Sequence, residues 1–240
     1  MGAVVRHRLK ALLRRCGISV ARYRPHLDPS AVRQTVVVDL GIDVVLDVGA
    51  NAGQFASQIR RDGFAGRIAS FEPLSSAFRA LEACSSQDPL WDVRQCALGR
   101  EPAVAKINIA GNSWSSSLLP MLDRHRDAAP ESAYVGTEDV TVRTLDDVYG
   151  ELVAPGAKAF MKVDTQGFTM SVLDGGERAL GNLLAVQVEL SLVPLYAGEP
   201  LIAEVLAHLY ERHFKLVHIE PEFVDASGRQ LQVNGLLVRS

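Results

Sequence analysis

Residues 44–55 read VVLDVGANAGQF, an apolar run that passes through two glycines into a polar segment. Residues 43–48 predict a strand buried on both faces, because such strands are continuous apolar runs. Gly49 and Gly53 predict a turn that brings the backbone close to a ligand. Residues 52–62 predict the helix that follows. A strand, a glycine turn and a helix in this order indicate a site for a small molecule at the helix N-terminus.

We interpret this loop as a site for S-adenosylmethionine (SAM). Amides at the helix start would meet the methionyl carboxylate, and Asp47 would bond the loop amides and face the amino group. Ala50, Asn51 and Gln54 complete the predicted loop. A dinucleotide site is the competing hypothesis, but it requires glycines at 49, 51 and 54, and only the first is present. A purely structural turn is the third interpretation.

Glu72 favours the SAM interpretation. It follows a predicted strand at 67–71 and lies 19 residues after Gly53. A carboxylate at the end of the second strand can accept hydrogen bonds from both ribose hydroxyls. A single acidic residue there is often only a solvated loop charge, so the prediction depends on the combination of Asp47, Gly49, Gly53 and Glu72.

Strands and helices alternate outward from this loop. Further strands are predicted at 91–98, 103–109, 140–143, 159–163, 184–190, 215–219 and 230–238. Helices are predicted at 75–84, 145–149, 169–180 and 201–213. Such alternation predicts an α/β protein with a doubly wound sheet and right-handed crossovers. The link between the last two strands is too short for a helix, so they should pair antiparallel. We expect a mostly parallel seven-stranded, Rossmann-like sheet with a C-terminal antiparallel hairpin, typical of class I methyltransferases.

Composition limits the class of protein. The chain has 240 residues, of which 48% are hydrophobic and 22% charged, as in a soluble globular protein. Its formal net charge of −3 argues against nucleic acid as a partner. Cys16, Cys84 and Cys96 are odd in number and lack metal-type spacing, which favours a reducing, cytoplasmic setting without disulfides or zinc.

The chain is predicted to divide at residue 40. Residues 1–39 form a basic helical extension, and residues 40–240 form the SAM-binding domain with a lid-like insertion around 110–137. Basic residues precede the first acidic residue, Asp28: Arg6, Arg8, Lys10, Arg14, Arg15, Arg22 and Arg24. They predict either peripheral contact with an anionic membrane or a solvated helix. A homodimer is a further partner hypothesis.

Several motifs in this order resemble the FkbM-type SAM-dependent methyltransferases. They lie at residues 46–53, 71–73, 97–99, 144–146, 162–168, 188–190 and 195–196. The resemblance implies SAM as methyl donor, with Ala97 in its site, and a hydroxyl acceptor on a sugar or glycolipid. The chain departs from the family at Thr169, where Glu is common, and at Asn234, where Asp is frequent.

Methyl transfer to a hydroxyl requires alignment of the oxygen and a group that takes its proton. Asp164 and Glu189 follow or end neighbouring predicted strands, where ligands gather in such sheets. They are candidate catalytic residues and candidate ligands of a Mg²⁺ ion, and the alternative is that they cap the next elements. His218 is a candidate base or a structural histidine.

The segment 111–118 is predicted to form a lid that binds the acceptor, or else a flexible surface loop. Trp114, Ser115 and Ser116 of this segment are candidate substrate-binding residues. His125, further along the same irregular region, is another. The predicted acceptor is a sugar hydroxyl of a glycolipid, oligosaccharide or polysaccharide. Alternatives are a lipid, phenolic or amine acceptor, or a non-catalytic binding protein of this fold.

Overall fold

The computed structural model describes residues 11–18, 20 and 22–240. Residues 11–15 are helical, while Arg6, Arg8 and Lys10 of the basic segment lie outside the described part. The strands are β1 Val44–Val48, β2 Arg67–Phe71, β3 Trp91–Arg94, β4 Ala97–Leu98, β5 Ala103–Ala110, β6 Tyr134–Arg143, β7 Ala159–Val163, β8 Leu183–Ser191, β9 Phe214–Val224 and β10 Gln230–Arg239. The α-helices are α1 Pro29–Leu40, α2 Gln54–Arg61, α3 Ser75–Ser85, α4 Asp123–Ala128, α5 Leu145–Leu152, α6 Thr169–Asp174, α7 Glu177–Leu180 and α8 Ile202–Glu211. Short 3₁₀ turns lie at Pro25–Leu27 and Pro130–Ser132.

The main sheet has seven strands in the order β3-β2-β1-β7-β8-β10-β9. The first five are parallel, and β10 runs antiparallel to both β8 and β9. This topology confirms the predicted doubly wound, mostly parallel sheet with an antiparallel C-terminal hairpin. The carboxyl ends of β1, β2 and β7 therefore meet at one edge, where a ligand can contact all three.

A second sheet of three strands, β4-β6-β5, was not predicted. The predicted strand at 91–98 is in fact two strands, since the chain turns after Arg94 and Cys96 N donates to Arg94 O at 3.1 Å. Ala97 then pairs with Val142 of β6 instead of continuing along β2. The second sheet carries the segment 111–133 over the carboxyl edge of the main sheet, because β5 and β6 flank that segment.

The central strands of the main sheet are buried on both faces. Every residue of β1 and β7 is buried, which explains their near-continuous apolar sequences. Helix α1 packs on the sheet through Val37, which is 4% exposed. No helix among the described residues has the length and apolar character that crossing a bilayer requires.

Candidate active site

A cavity of about 490 Å³ opens at the carboxyl edge of the sheet, a size typical of small-molecule sites. It lies among the loops after β1 and β7, the segment 112–118 and the ends of β9 and β10. The predicted residues that line it are Gly49, Ala50, Asn51, Gln54, Glu72, Ala97, Trp114, Ser115, Ser116, His125, Asp164 and Glu189. Asp47, Gly53 and His218 are not among its lining residues.

The backbone amides of residues 49–53 all donate hydrogen bonds within the protein, at 2.8–3.0 Å. Gly49 N and Ala50 N both donate to Phe71 O, and Asn51 N donates to Glu72 Oε2. Ala52 N donates to Asn51 Oδ1, and Gly53 N donates to Ala50 O. These five amides are therefore occupied by internal bonds that shape the loop, and the helix that follows begins at Gln54.

The packing of neighbouring elements requires glycine at both positions of the loop. Gly49 has φ 78°, and a Cβ there would overlap the backbone carbonyl of Asp164. Gly53 has φ 86°, and a Cβ there would lie 3.0 Å from both Leu81 and Trp91. Gly49 thus permits the close approach of the loops after β1 and β7, and Gly53 permits α2 to pack on the sheet.

Glu72 lines the cavity and also organises the loop. Its side chain is nearly buried, at 5% exposed, and its two oxygens accept from Asn51 N at 2.8 Å and Leu74 N at 2.9 Å. Burial raises the pKa of Glu72 to about 7, although these two hydrogen bonds oppose the rise. Each carboxylate oxygen has a second lone pair, so Glu72 can still accept from a bound hydroxyl.

Lys162 lines the candidate site and was not predicted from the sequence as one of its residues. Its buried ammonium lies 3.4 Å from Asp47 Oδ1 and 3.3 Å from Asp164 Oδ2, and it donates to Gly49 O at 3.2 Å. These carboxylates raise the pKa of Lys162 although burial opposes them. Asp47, which is fully buried, therefore contacts Lys162 and Ser70 rather than the loop amides. The signal was a lysine inside an otherwise apolar strand.

Gln166 links the two predicted catalytic carboxylates. Its Nε2 donates to Asp164 Oδ1 at 2.9 Å and to Glu189 Oε1 at 3.0 Å. Its Oε1 accepts from the hydroxyl of Tyr196 at 2.8 Å, which fixes the orientation of the amide. Burial, and then repulsion by Asp164, raises the pKa of Glu189 well above its ordinary value. Asp164, whose side chain is 35% exposed, is the more accessible carboxylate of this pair, since Glu189 is buried.

This arrangement does not fit a divalent cation. Mg²⁺ requires oxygen ligands with free lone pairs facing the ion. The amide nitrogen of Gln166 occupies the position between Asp164 Oδ1 and Glu189 Oε1 where a bridging ion would lie, and the ammonium of Lys162 beside Asp164 repels a cation. Among the described residues, three metal-ligating side chains come close together only at Asp174, Glu177 and His208, and none of them lines the cavity.

The far wall of the cavity carries two acidic residues of β9 that were not predicted, Glu220 and Glu222. Burial raises the pKa of both. The predicted candidate on this strand, His218, lies two residues away from Glu220 and outside the cavity lining. Asn234 donates to Glu222 Oε2 at 2.7 Å. An Asp at this position, frequent in the family, would place a second negative charge beside Glu222.

The lid segment lies over the cavity and is bonded to the loop after β7. Ser117 Oγ donates to Gln166 O at 2.6 Å, and Tyr196 OH contacts Ser115 O at 3.1 Å. Trp114 is 59% exposed at the rim. Ser116 Oγ accepts from Ala110 N, so its hydroxyl caps the end of β5.

Arg33 reaches the cavity from α1, a helix that the sequence analysis placed outside the binding domain. Its side chain is 8% exposed and lies over the ring of Phe55, 5.1 Å from the centroid. One guanidinium nitrogen donates to Gln187 at 3.4 Å, and Nε has no partner among the described residues. No sequence motif predicts Arg33 as a site residue, because its position in the cavity depends on how α1 packs against β8.

Comparison with known proteins agrees with this architecture. The family described as "Methyltransferase FkbM domain" matches residues 47–216. "Methyltransferase 1" of Beauveria bassiana is 25% identical over 168 residues, covering 62% of this chain and 68% of that protein.

Two solved structures are similar at about one tenth identity. An rRNA methylase from Streptococcus thermophilus has a TM-score of 0.47 and 10% identity, covering 92% of this chain and 99% of that one. A Streptococcus mutans protein described as a methyltransferase, in complex with S-adenosylhomocysteine (SAH), has a TM-score of 0.48 and 10% identity, covering 89% and 98%.

The prediction that nucleic acid is not a partner was wrong. Structures similar to this chain are named as methylases of rRNA and of other RNA. A formal net charge of −3 is a property of the whole chain and does not by itself exclude a partner of that class.

Proposed function

The chain belongs to the FkbM methyltransferase family, and from that premise we propose that it transfers a methyl group from SAM to a sugar hydroxyl. The observation that carries this proposal is a single cavity with two chemically different ends. Glu72 lies at one end, at the position where a carboxylate meets a ribose. The acidic residues of the edge strand β9 lie at the other, and Asp164 follows the central strand β7 between them.

Three parts of the cavity suit the parts of SAM, which supplies an electrophilic methyl group when bound. Glu72 would hold the ribose hydroxyls, and the apolar side chains of Ala97 and Leu98 would lie against the adenine. Two cationic residues line the cavity within the described residues, Arg33 and Lys162. Lys162 lies between two carboxylates, whereas Arg33 has one longer pair, with Asp62 at 3.6 Å, and an unpaired Nε, so Arg33 is the cation proposed for the methionyl carboxylate.

Asp164 is the proposed general base. The acceptor oxygen forms a bond to the methyl carbon while the carbon–sulfur bond breaks. The electron pair of the broken bond stays on sulfur. The hydroxyl proton passes to the carboxylate of Asp164. The ammonium of Lys162 lies 3.3 Å from this carboxylate and holds it in position through an ion pair.

The acceptor end suits a molecule with several hydroxyl groups. Glu189, Glu220 and Glu222 present oxygens that accept hydrogen bonds from such donors. Trp114 at the rim offers an exposed indole face on which a sugar ring can pack. The donor set does not fit Mg²⁺, so the proposed reaction proceeds without a metal.

Calorimetry with SAM, followed by an acceptor panel monitored by mass spectrometry, tests the proposal. The panel contains methyl glycosides of common hexoses and deoxyhexoses, a fatty alcohol, a phenol and a primary amine. We expect SAM to bind and methyl glycosides to gain 14 Da with and without EDTA. Methylation of only the alcohol, phenol or amine would overturn the sugar assignment, and EDTA inhibition would overturn the metal-free reaction.

A further inference from the structure

His125 occupies an unusual position at the base of the lid. It lies on α4, is 3% exposed and lines the cavity. Its ring lies between Tyr196 and Phe223, with centroids 5.1 Å and 5.2 Å away. The aromatic neighbours fix the plane of the imidazole, so its two nitrogens have defined surroundings.

The hydrogen bonds of Asn112 and Ser115 set the tautomer of this ring. Asn112 Oδ1 accepts from Ser115 N at 3.1 Å, which orients the amide so that its Nδ2 donates to Ser115 Oγ, also at 3.1 Å. The remaining contact of Ser115 Oγ is His125 Nε2 at 3.2 Å. The hydroxyl proton of Ser115 has no other acceptor among the described residues, so it goes to Nε2, and the ring proton of a neutral imidazole is then on Nδ1.

Nδ1 is buried and has no hydrogen-bond partner among the described residues. A buried donor without a partner is unfavourable, because it has lost its hydrogen bond to water and gained none in the protein. The ring is neutral at physiological pH, since burial lowers the pKa of His125 to about 4 although Glu131 opposes the shift. His125 lines the cavity, so a bound molecule can supply the oxygen that this buried N–H lacks once the side chains around Nδ1 shift to admit it.

We infer that His125 forms an acceptor-binding subsite in which Nδ1–H donates to an uncharged oxygen of the methyl acceptor. The inference rests on the proposed function and specifies how the acceptor is held. The oxygen is uncharged, such as a ring, hydroxyl or carbonyl oxygen, because Glu131 and Glu222 in the same wall disfavour an anion. The ring planes of Tyr196 and Phe223 hold the donor in place.

The tautomer is measured first, by ¹⁵N NMR of histidine-labelled protein without any acceptor. We expect Nδ1 of His125 to be protonated and Nε2 unprotonated at pH 7. A ring protonated on Nε2 would overturn the inference. This measurement is independent of methyl transfer, so an inert acceptor panel contradicts the proposed function while the tautomer decides the inference.

Two substitutions then separate acceptor binding from a structural role. In His125→Asn the amide lies near the position of Nδ1, and in His125→Gln it lies near that of Nε2. We expect His125→Gln, which retains the contact with Ser115, to raise KM for the methylated glycoside about tenfold, the effect of losing one hydrogen bond. His125→Asn should raise KM less than threefold, and KM for SAM should not change in either variant. The reverse order of the two variants would show that the bond to Ser115 is what matters and would refute the subsite.

Discussion

Lys162 Nζ lies 3.3 Å from Asp164 Oδ2, and both residues stand at the carboxyl end of the same strand. The ammonium is enclosed by protein while the Asp164 side chain is 35% exposed toward the cavity. The pair therefore combines a buried, fixed cation with an accessible anion. The cation thus holds the carboxylate in position while leaving it open to the cavity.

Asp164→Asn should lower kcat by about 10²–10⁴-fold, the usual contribution of a general base. Asparagine has nearly the same shape but cannot take the hydroxyl proton. The binding constant for SAM, measured by calorimetry, should change less than fivefold. A variant that retains more than a tenth of wild-type kcat would show that Asp164 is not the base.

Lys162→Met should destabilise the protein by about 3–5 kcal/mol, because it leaves Asp47 without its buried cation. The matched control is Lys106→Met, which removes an exposed pair with Asp139. That exposed pair should be worth about 0–1 kcal/mol. Urea unfolding of both variants measures the difference, and equal losses would contradict a structural role of Lys162 beneath the site.

Much of the fold follows from local sequence patterns. The buried runs of β1 and β7, the short link before β10 and the glycine turn predict the main sheet correctly. The second sheet was not predictable, because the break between β3 and β4 depends on the pairing of Ala97 with Val142, 45 residues later. Long-range pairing of this kind leaves no local signal.

The candidate site was predictable where side chains follow strands, as with Glu72, Asp164 and Glu189. It was not predictable where contacts depend on packing between distant elements. Arg33 reaches Gln187 across 154 positions of the chain, and Gln166 bridges two strand ends. Asp47 was assigned to the ligand because the lysine that faces it lies on another strand.

Gly49→Ala should destabilise the protein by more than about 3 kcal/mol, since the added Cβ would overlap the carbonyl of Asp164 at a positive φ. Gly228→Ala is the control, because Gly228 has φ +82° with nothing within 4 Å of the added Cβ. It should cost about 1 kcal/mol from the backbone conformation alone. If urea unfolding gives similar values for both, the close approach of the two loops is not what requires Gly49.

Glu72 should make stability depend on pH. Its pKa is about 7 in the folded protein and 4.5 ordinarily, so the folded state binds more protons between these values. Its contribution is complete below about pH 4.5 and is lost as the pH rises through 7. The stability of wild type relative to Glu72→Gln should therefore fall by about 2–3 kcal/mol from pH 5 to pH 8. Urea unfolding at the two pH values without SAM measures this, and a constant difference would show that Glu72 ionises normally.

Arg33→Met should weaken SAM binding about 10–100-fold, because a hydrogen-bonded charge contributes roughly 1.5–3 kcal/mol. The control ligand is 5′-methylthioadenosine, which has the same nucleoside but lacks the amino-acid tail. Its affinity should be unchanged in the variant if Arg33 binds only the carboxylate. Arg33→Lys should give an intermediate SAM affinity, since lysine keeps the charge but loses the planar fork of donors. Arg33 also contacts Asp62 and Gln187, so loss of these contacts would weaken both ligands equally by disturbing α1. Calorimetry with the two ligands therefore separates carboxylate recognition, which affects SAM alone, from a disturbed fold, which affects both.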